Sequence, residues 1–140
     1  MAHDYKVVKD TFEAAATAVN IPTVVTGYDK TIDSRLKPPV LQFDSTKSVY
    51  DIDREAEKYD IVADFLIYYN RNDPTETRDY PDVWREIENL MDSFFTEVNK
   101  SDQVRITATE VKKERFGYGF TVNDFIPVRV EFEITVFDAC

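Results

Sequence analysis

The chain has 140 residues, 43% apolar and 14% aromatic, with 17 basic against 27 acidic side chains and a formal net charge of −10. This length predicts one domain, spanning 1–140, that buries roughly 68% of the surface its unfolded form exposes. The charge argues against wrapping a nucleic-acid backbone, which needs compensating positive charge; an acidic wall instead lets a polyanion slide past.

The only cysteine is Cys140, which excludes an intramolecular disulfide and a thiolate zinc site. A lone thiol suits a reducing compartment. No apolar run reaches membrane-spanning length, and the opening Met-Ala-His-Asp lacks a signal-peptide core. The expectation is a chain made and kept in a cytoplasm, without membrane contact. Ten Phe and eight Tyr are many large rings for a small domain, so some are expected at an interface.

In chain order, Tyr5 to Asn20 reads as a helix, with Val8, Phe12, Ala15, Ala16 and Val19 at spacings of three and four. Ile21-Pro22 is the expected stop, because proline pushes the residue before it out of the helical region. Thr23 to Thr26 suggests a short strand broken by Gly27. Lys37-Pro38-Pro39 leads an extended run into Val40-Leu41-Gln42-Phe43. Asp44 to Glu57 is polar and charged and reads as a long loop with one helical turn, a segment of a kind that usually has a job.

Lys58 to Asn70 reads as a strand. Tyr59, Ile61, Ala63, Phe65, Ile67 and Tyr69 fall on one face, and Asp60, Val62, Asp64, Leu66 and Tyr68 on the other. The later half is apolar on both faces, which predicts cover on both sides there. Asp60 and Asp64 read as part of the solvent face. Pro81 to Asn99 is the clearest helix, with Trp84, Ile87, Leu90, Met91, Phe94 and Val98 in one stripe and Asp79 as its cap. Gln103 to Arg115 and Pro127 to Phe137 are alternating strands. In the second, Val128, Val130, Phe132, Ile134 and Val136 form the buried face. Phe116 to Ile126 joins them as a glycine- and aromatic-rich hairpin suited to pairing with a neighbour.

Chemistry is scarce. His3 is the only histidine and makes no metal cluster. Cys140 has no visible basic partner to activate it. Asp51, Asp53, Glu55 and Glu57 are two apart, so an extended segment would put them on one face, able to hold a divalent cation or to form an acidic contact. Gly117-Tyr118-Gly119 has neither the lysine ending nor the following helix of a phosphate loop. No catalytic residue, cofactor or metal ligand is assigned.

The order of elements resembles the tail-terminator and tail-completion (neck) proteins of tailed bacteriophages. The resemblance is carried by the N-terminal helix leading into Pro38-Pro-Val-Leu-Gln-Phe43, the strand Asp60-Ile-Val-Ala-Asp-Phe-Leu-Ile-Tyr-Tyr69 and the Trp84-to-Val98 helix. The closing parts are Phe116-Gly-Tyr-Gly-Phe120 and Val128-Arg-Val-Glu-Phe-Glu-Ile134. It implies a non-enzymatic virion protein, assembled in the host cytoplasm, that forms a ring, commonly a hexamer, at the head–tail junction. Such a ring stops the tail tube and offers a surface to the head connector, while DNA passes its acidic bore without specific binding.

The expected fold is α+β, a four- to five-stranded mainly antiparallel sheet with two helices packed on one face. Tyr68, Phe116, Tyr118, Phe120 and Phe125 are the expected subunit contacts, from exposure and loop position. Two other readings stay open: an acidic inhibitor or DNA mimic that captures a basic protein, and a small hydrolase using a divalent metal on the 51–57 carboxylates.

Overall fold

The structure is a computed structural model that describes residues 5–27, 37–52, 55–70, 72–106, 112–115 and 125–137, with the backbone alone at 51 and 112–115. In chain order the elements are α1 (Tyr5–Ala18), β1 (Thr23–Thr26), β2 (Val40–Asp51), β3 (Ala56–Tyr68), α2 (Tyr80–Val98), β4 (Val104–Ile106), β5 (Lys112–Arg115) and β6 (Phe125–Phe137). No helix is long and apolar enough to cross a membrane among the described residues.

The sheet runs β1-β2-β3-β6-β4, with β5 also on β6. β3 and β6 pair antiparallel along their whole length, from Ala56 opposite Phe137 to Tyr68 opposite Phe125. One edge of β6 is therefore filled, and β4 and β5 share the other, with Val104 opposite Val136 and Lys112 opposite Glu131. The strand expected over Gln103 to Arg115 is thus present at its two ends. Among the described strands, only the β1–β2 pair is parallel. The result is a mostly antiparallel sheet, five positions wide, with both helices on one face: an α+β fold.

α1 buries Val8, Phe12, Ala15 and Ala16. It ends before Pro22 is reached. Asn20 adopts φ 64°, and the Ile21 N–H returns to the Ala16 carbonyl at 2.8 Å. That six-to-one closure satisfies a terminal carbonyl, and Asn tolerates the left-handed conformation it needs. α2 starts at a capping box: the Asp79 side chain accepts from the Asp82 N–H, and the Asp82 side chain accepts from the Asp79 N–H. Its buried stripe is Val83, Ile87, Met91, Phe94 and Val98. Trp84 and Leu90, expected in that stripe, are half-buried at its margin, and Val83 takes the inner place.

The helices cover the odd-numbered residues of β3 and the even-numbered residues of β6. Phe12 is the centre of the contact, 4.8 Å from Phe43 and 5.3 Å from Phe94 between ring centroids, both edge-on. Phe94 in turn meets Phe65 at 5.4 Å. Such edge-to-face pairs add about 0.5–1.5 kcal/mol each beyond the area they bury.

The segment from Asp44 to Glu57 is not a loop. β2 continues through it as far as Asp51, and β3 starts opposite it at Ala56, with a bulge between Ser45 and Lys47. Thr46, Val49 and Tyr50 favour a strand, and the ladder to β3 overrides the weaker preference of the Asp, Ser and Lys between them. Glu55 in the turn takes φ 51°. Asp64 is a second correction: it shares the helix-free face with Asp60 but is not solvated there, being 7% exposed and paired.

Candidate interaction surface

The helix-free face of the sheet carries a polar row across three strands. Gln42 lies opposite Asp64, and Asp64 opposite Arg129. The Arg129 guanidinium donates twice to the Asp64 carboxylate, Nε to Oδ1 at 2.9 Å and Nη2 to Oδ2 at 3.1 Å. This fork-on-fork geometry is the stronger form of a carboxylate pair. The Gln42 amide donates to the Gly27 carbonyl at 2.9 Å. Gly27, at φ 89°, turns the chain out of β1 there, a conformation that glycine adopts without a steric cost. Beside the row, Val40, Leu66 and Phe125 form a small apolar cluster with Val25 packed on it.

At the end of the sheet where β2 turns into β3, apolar side chains are left outside the core. Val49 is 51% exposed, Ile52 79% and Phe137 38%. Val49 and Phe137 both sit on the helix-free face, since Val49 pairs with Lys58 and Phe137 with Ala56. Ile52 stands in the turn between the strands.

The opposite end of β3 carries Tyr68, 40% exposed. Arg78 organises this end. Its Nη2 donates to the Tyr68 carbonyl at 2.7 Å, Nη1 to Glu86 at 2.7 Å and Nε to Glu76 at 2.9 Å. The guanidinium also lies 5.7 Å from the Tyr69 ring centroid. One side chain thus ties the last residue of β3, the following loop and α2 together. Hydrogen bonds from the Arg78 side chain and backbone pull the Glu76 carboxyl down from 4.5 to about 2. The side-chain bonds to Glu76 and Glu86 hold the Arg78 guanidinium above its ordinary range. On α1, burial and then the Asp44 charge push the Tyr5 hydroxyl up to about 12.

Between α1 and α2 runs a groove of about 650 Å³. Its base includes Ile67, which is buried, and Val19 and Leu90, which are half-buried. Its rim carries the carboxylates of Glu86, Asp92 and Glu97 and no basic side chain. Glu86 is paired with Arg78, and Glu97 with Lys100 at 2.8 Å.

The residues singled out in the sequence do not gather at one place. Tyr68 is exposed at the far end of β3. Phe125 is 2% exposed and belongs to the cluster with Val40 and Leu66. Its expected exposure is corrected: the ring packs into the small apolar cluster with Val40, Leu66 and Val25. Phe116, Tyr118 and Phe120, with nearly all of the hairpin that holds them, lie outside the described residues, as do His3, Asp53 and Cys140.

The acidic residues at 51–57 do not form an extended row. The chain reverses between them, with Asp51 ending β2 and Glu57 on β3. The Glu57 carboxylate accepts from the Tyr59 hydroxyl at 2.9 Å. Among the described residues, no three His, Cys, Asp or Glu side chains converge as metal ligands. Sequence reading missed the Asp64–Arg129 pair and the Arg78 junction. Arg129 was legible as an outward strand position, but its partner is 65 residues away. No family model matches the chain, and neither does any curated protein sequence.

Proposed function

We propose that this chain is a structural subunit of a tailed-phage neck or tail. In this reading it closes with copies of itself into a ring, a hexamer by the resemblance of its element order. One face of the ring ends the tail tube and the other meets the head connector. The observation that carries the reading is the set of apolar side chains left outside a filled core: Val49, Ile52 and Phe137 at one end of the sheet and Tyr68 at the other. Ends of this kind suit a subunit that touches different partners above and below. The net charge of −10 supports it further, because an acidic bore repels DNA in transit.

Native mass spectrometry and electron microscopy of the purified chain test this reading. The expected result is closed rings of one size. Monomers alone under every assembly condition overturn it, and a tight one-to-one complex with a basic protein in place of self-association replaces it with the acidic-inhibitor reading.

A further inference from the structure

β1 pairs with β2 only from Val40 to Phe43, and the outer side of residues 44–51 carries no strand among the described residues. Thr46, Lys47, Ser48 and Val49 are exposed in succession, on both faces of the sheet. That marks an open edge, where main-chain N–H and C=O groups can pair with another strand. The opposite edge is made of β4 and β5, three and four residues long, and short edge strands resist such pairing. The bulge between Ser45 and Lys47 leaves the pairing with β3 regular from Lys47 to Asp51.

By their pairing with Asp60, Lys58 and Ala56, residues Lys47, Val49 and Asp51 take the helix-free side of β2. Val49 is 51% exposed, and Lys47 makes no ion pair among the described residues. Antiparallel pairing with the same segment of a second copy, about a two-fold axis at Val49, sets Val49 opposite Val49, Lys47 opposite Asp51 and Ser48 opposite Tyr50. Apolar then meets apolar, and the opposite charges meet twice by symmetry, which are the favourable cross-strand pairs. Neighbouring registers lose this. An axis at Lys47 sets lysine against lysine, one at Ser48 sets Val49 against Lys47, and one at Tyr50 sets Val49 against Asp51. The segment is thus complementary to itself in one register, which selects a second copy as its occupant.

We propose that β2 pairs with β2 of a second copy, antiparallel and centred on Val49, so that the two sheets continue as one. The main chain supplies the hydrogen bonds, and the side chains set the register. The contact uses the same patch on both copies, so by itself it closes a dimer. It goes beyond the ring reading and does not depend on it; within a ring it would join one ring to another.

Cysteine cross-linking of the full-length chain in a Cys140→Ser background tests it. Directly opposed residues of an antiparallel pair have Cα atoms about 4.5–5.5 Å apart, within disulfide reach. Val49→Cys is therefore expected to give a covalent dimer under mild oxidation. Lys47→Cys is not, because it lies about 13 Å along the strand from its own copy. Val49→Lys sets like charges together at the axis and is expected to weaken dimerisation by about tenfold or more, read by sedimentation equilibrium at low salt. Thermal melting checks that each variant is folded; if Val49→Lys melts early, the cross-link still reads the contact. No cross-link at Val49 overturns the pairing, and so does equal cross-linking at both positions, the mark of chance collision. Unchanged association of a folded Val49→Lys overturns it too. A chain that stays monomeric overturns it and leaves the edge to a foreign strand. Rings that form without a Val49 cross-link remove this contact and leave the ring reading standing, and a Val49-linked dimer that forms no ring does the reverse.

Discussion

The two faces of β3 are held by different physics. On the helix side, Tyr59, Ile61, Ala63, Phe65 and Ile67 enter one apolar core with α1 and α2. What matters there is volume and area, and a similar side chain of equal size would serve. On the helix-free side, Asp64 sits between Gln42 and Arg129, and directed bonds do the work. A one-residue slip of β6 on β3 would move Arg129 to the opposite face and leave the Asp64 carboxylate buried without its cation. The apolar side supplies most of the stability, while the polar side specifies which alignment of the long strands is correct.

The largest expected effect lies on the apolar side. Phe94 is fully buried against Phe12 and Phe65. Phe94→Ala should cost about 3–5 kcal/mol in urea denaturation, through lost burial and the cavity left behind. A loss below about 1 kcal/mol would mean that the helices are not packed on this face as described.

The polar side should respond with an asymmetry. Arg129→Met leaves Asp64 nearly buried and without its forked partner, and should cost about 2–3 kcal/mol. Asp64→Asn should cost only about 1 kcal/mol, because the Arg129 side chain is 38% exposed and can turn to water. Equal losses, or the reverse order, would show that the buried carboxylate does not enforce the register.

A smaller effect is expected at the Arg78 junction, where the end of β3 meets α2. Arg78→Ala should cost about 1–2 kcal/mol, since its charge-assisted bonds are partly open to solvent. It should also change the acid limb. Glu76 has a folded pKa depressed from 4.5 to about 2, so its contribution is present above 4.5 and fades as the pH falls toward 2. Melting temperature measured from pH 5 to pH 2 should therefore fall less steeply in Arg78→Ala than in the wild type. An unchanged slope would show that the Glu76–Arg78 bond adds no stability.

The hairpin end extends the comparison to the outside of the molecule. Val49 and Phe137 share the helix-free face with the Asp64–Arg129 row, yet they are exposed whereas Asp64 is not. The search for rings separates what holds one subunit from what joins two.

Much of this was legible in local pattern. Period-two alternation marked β3 and β6, and period 3.6 marked α1 and α2, because each element must present one apolar face to a common core. The α2 start was readable from Asp79, Pro81 and Asp82, because capping is a matter of a few consecutive residues. Tertiary structure alone decided the rest. The polar run from Asp44 to Asp51 becomes a strand because β3 supplies its ladder, and Phe125 is buried because Val40, Leu66 and Val25, distant in sequence, meet it on the same sheet face. Asp64 and Arg129 meet across 65 residues of chain, a pairing set by strand order and register. Side-chain periodicity is a property of neighbours in sequence, whereas strand order and ion-pair partners are properties of neighbours in space.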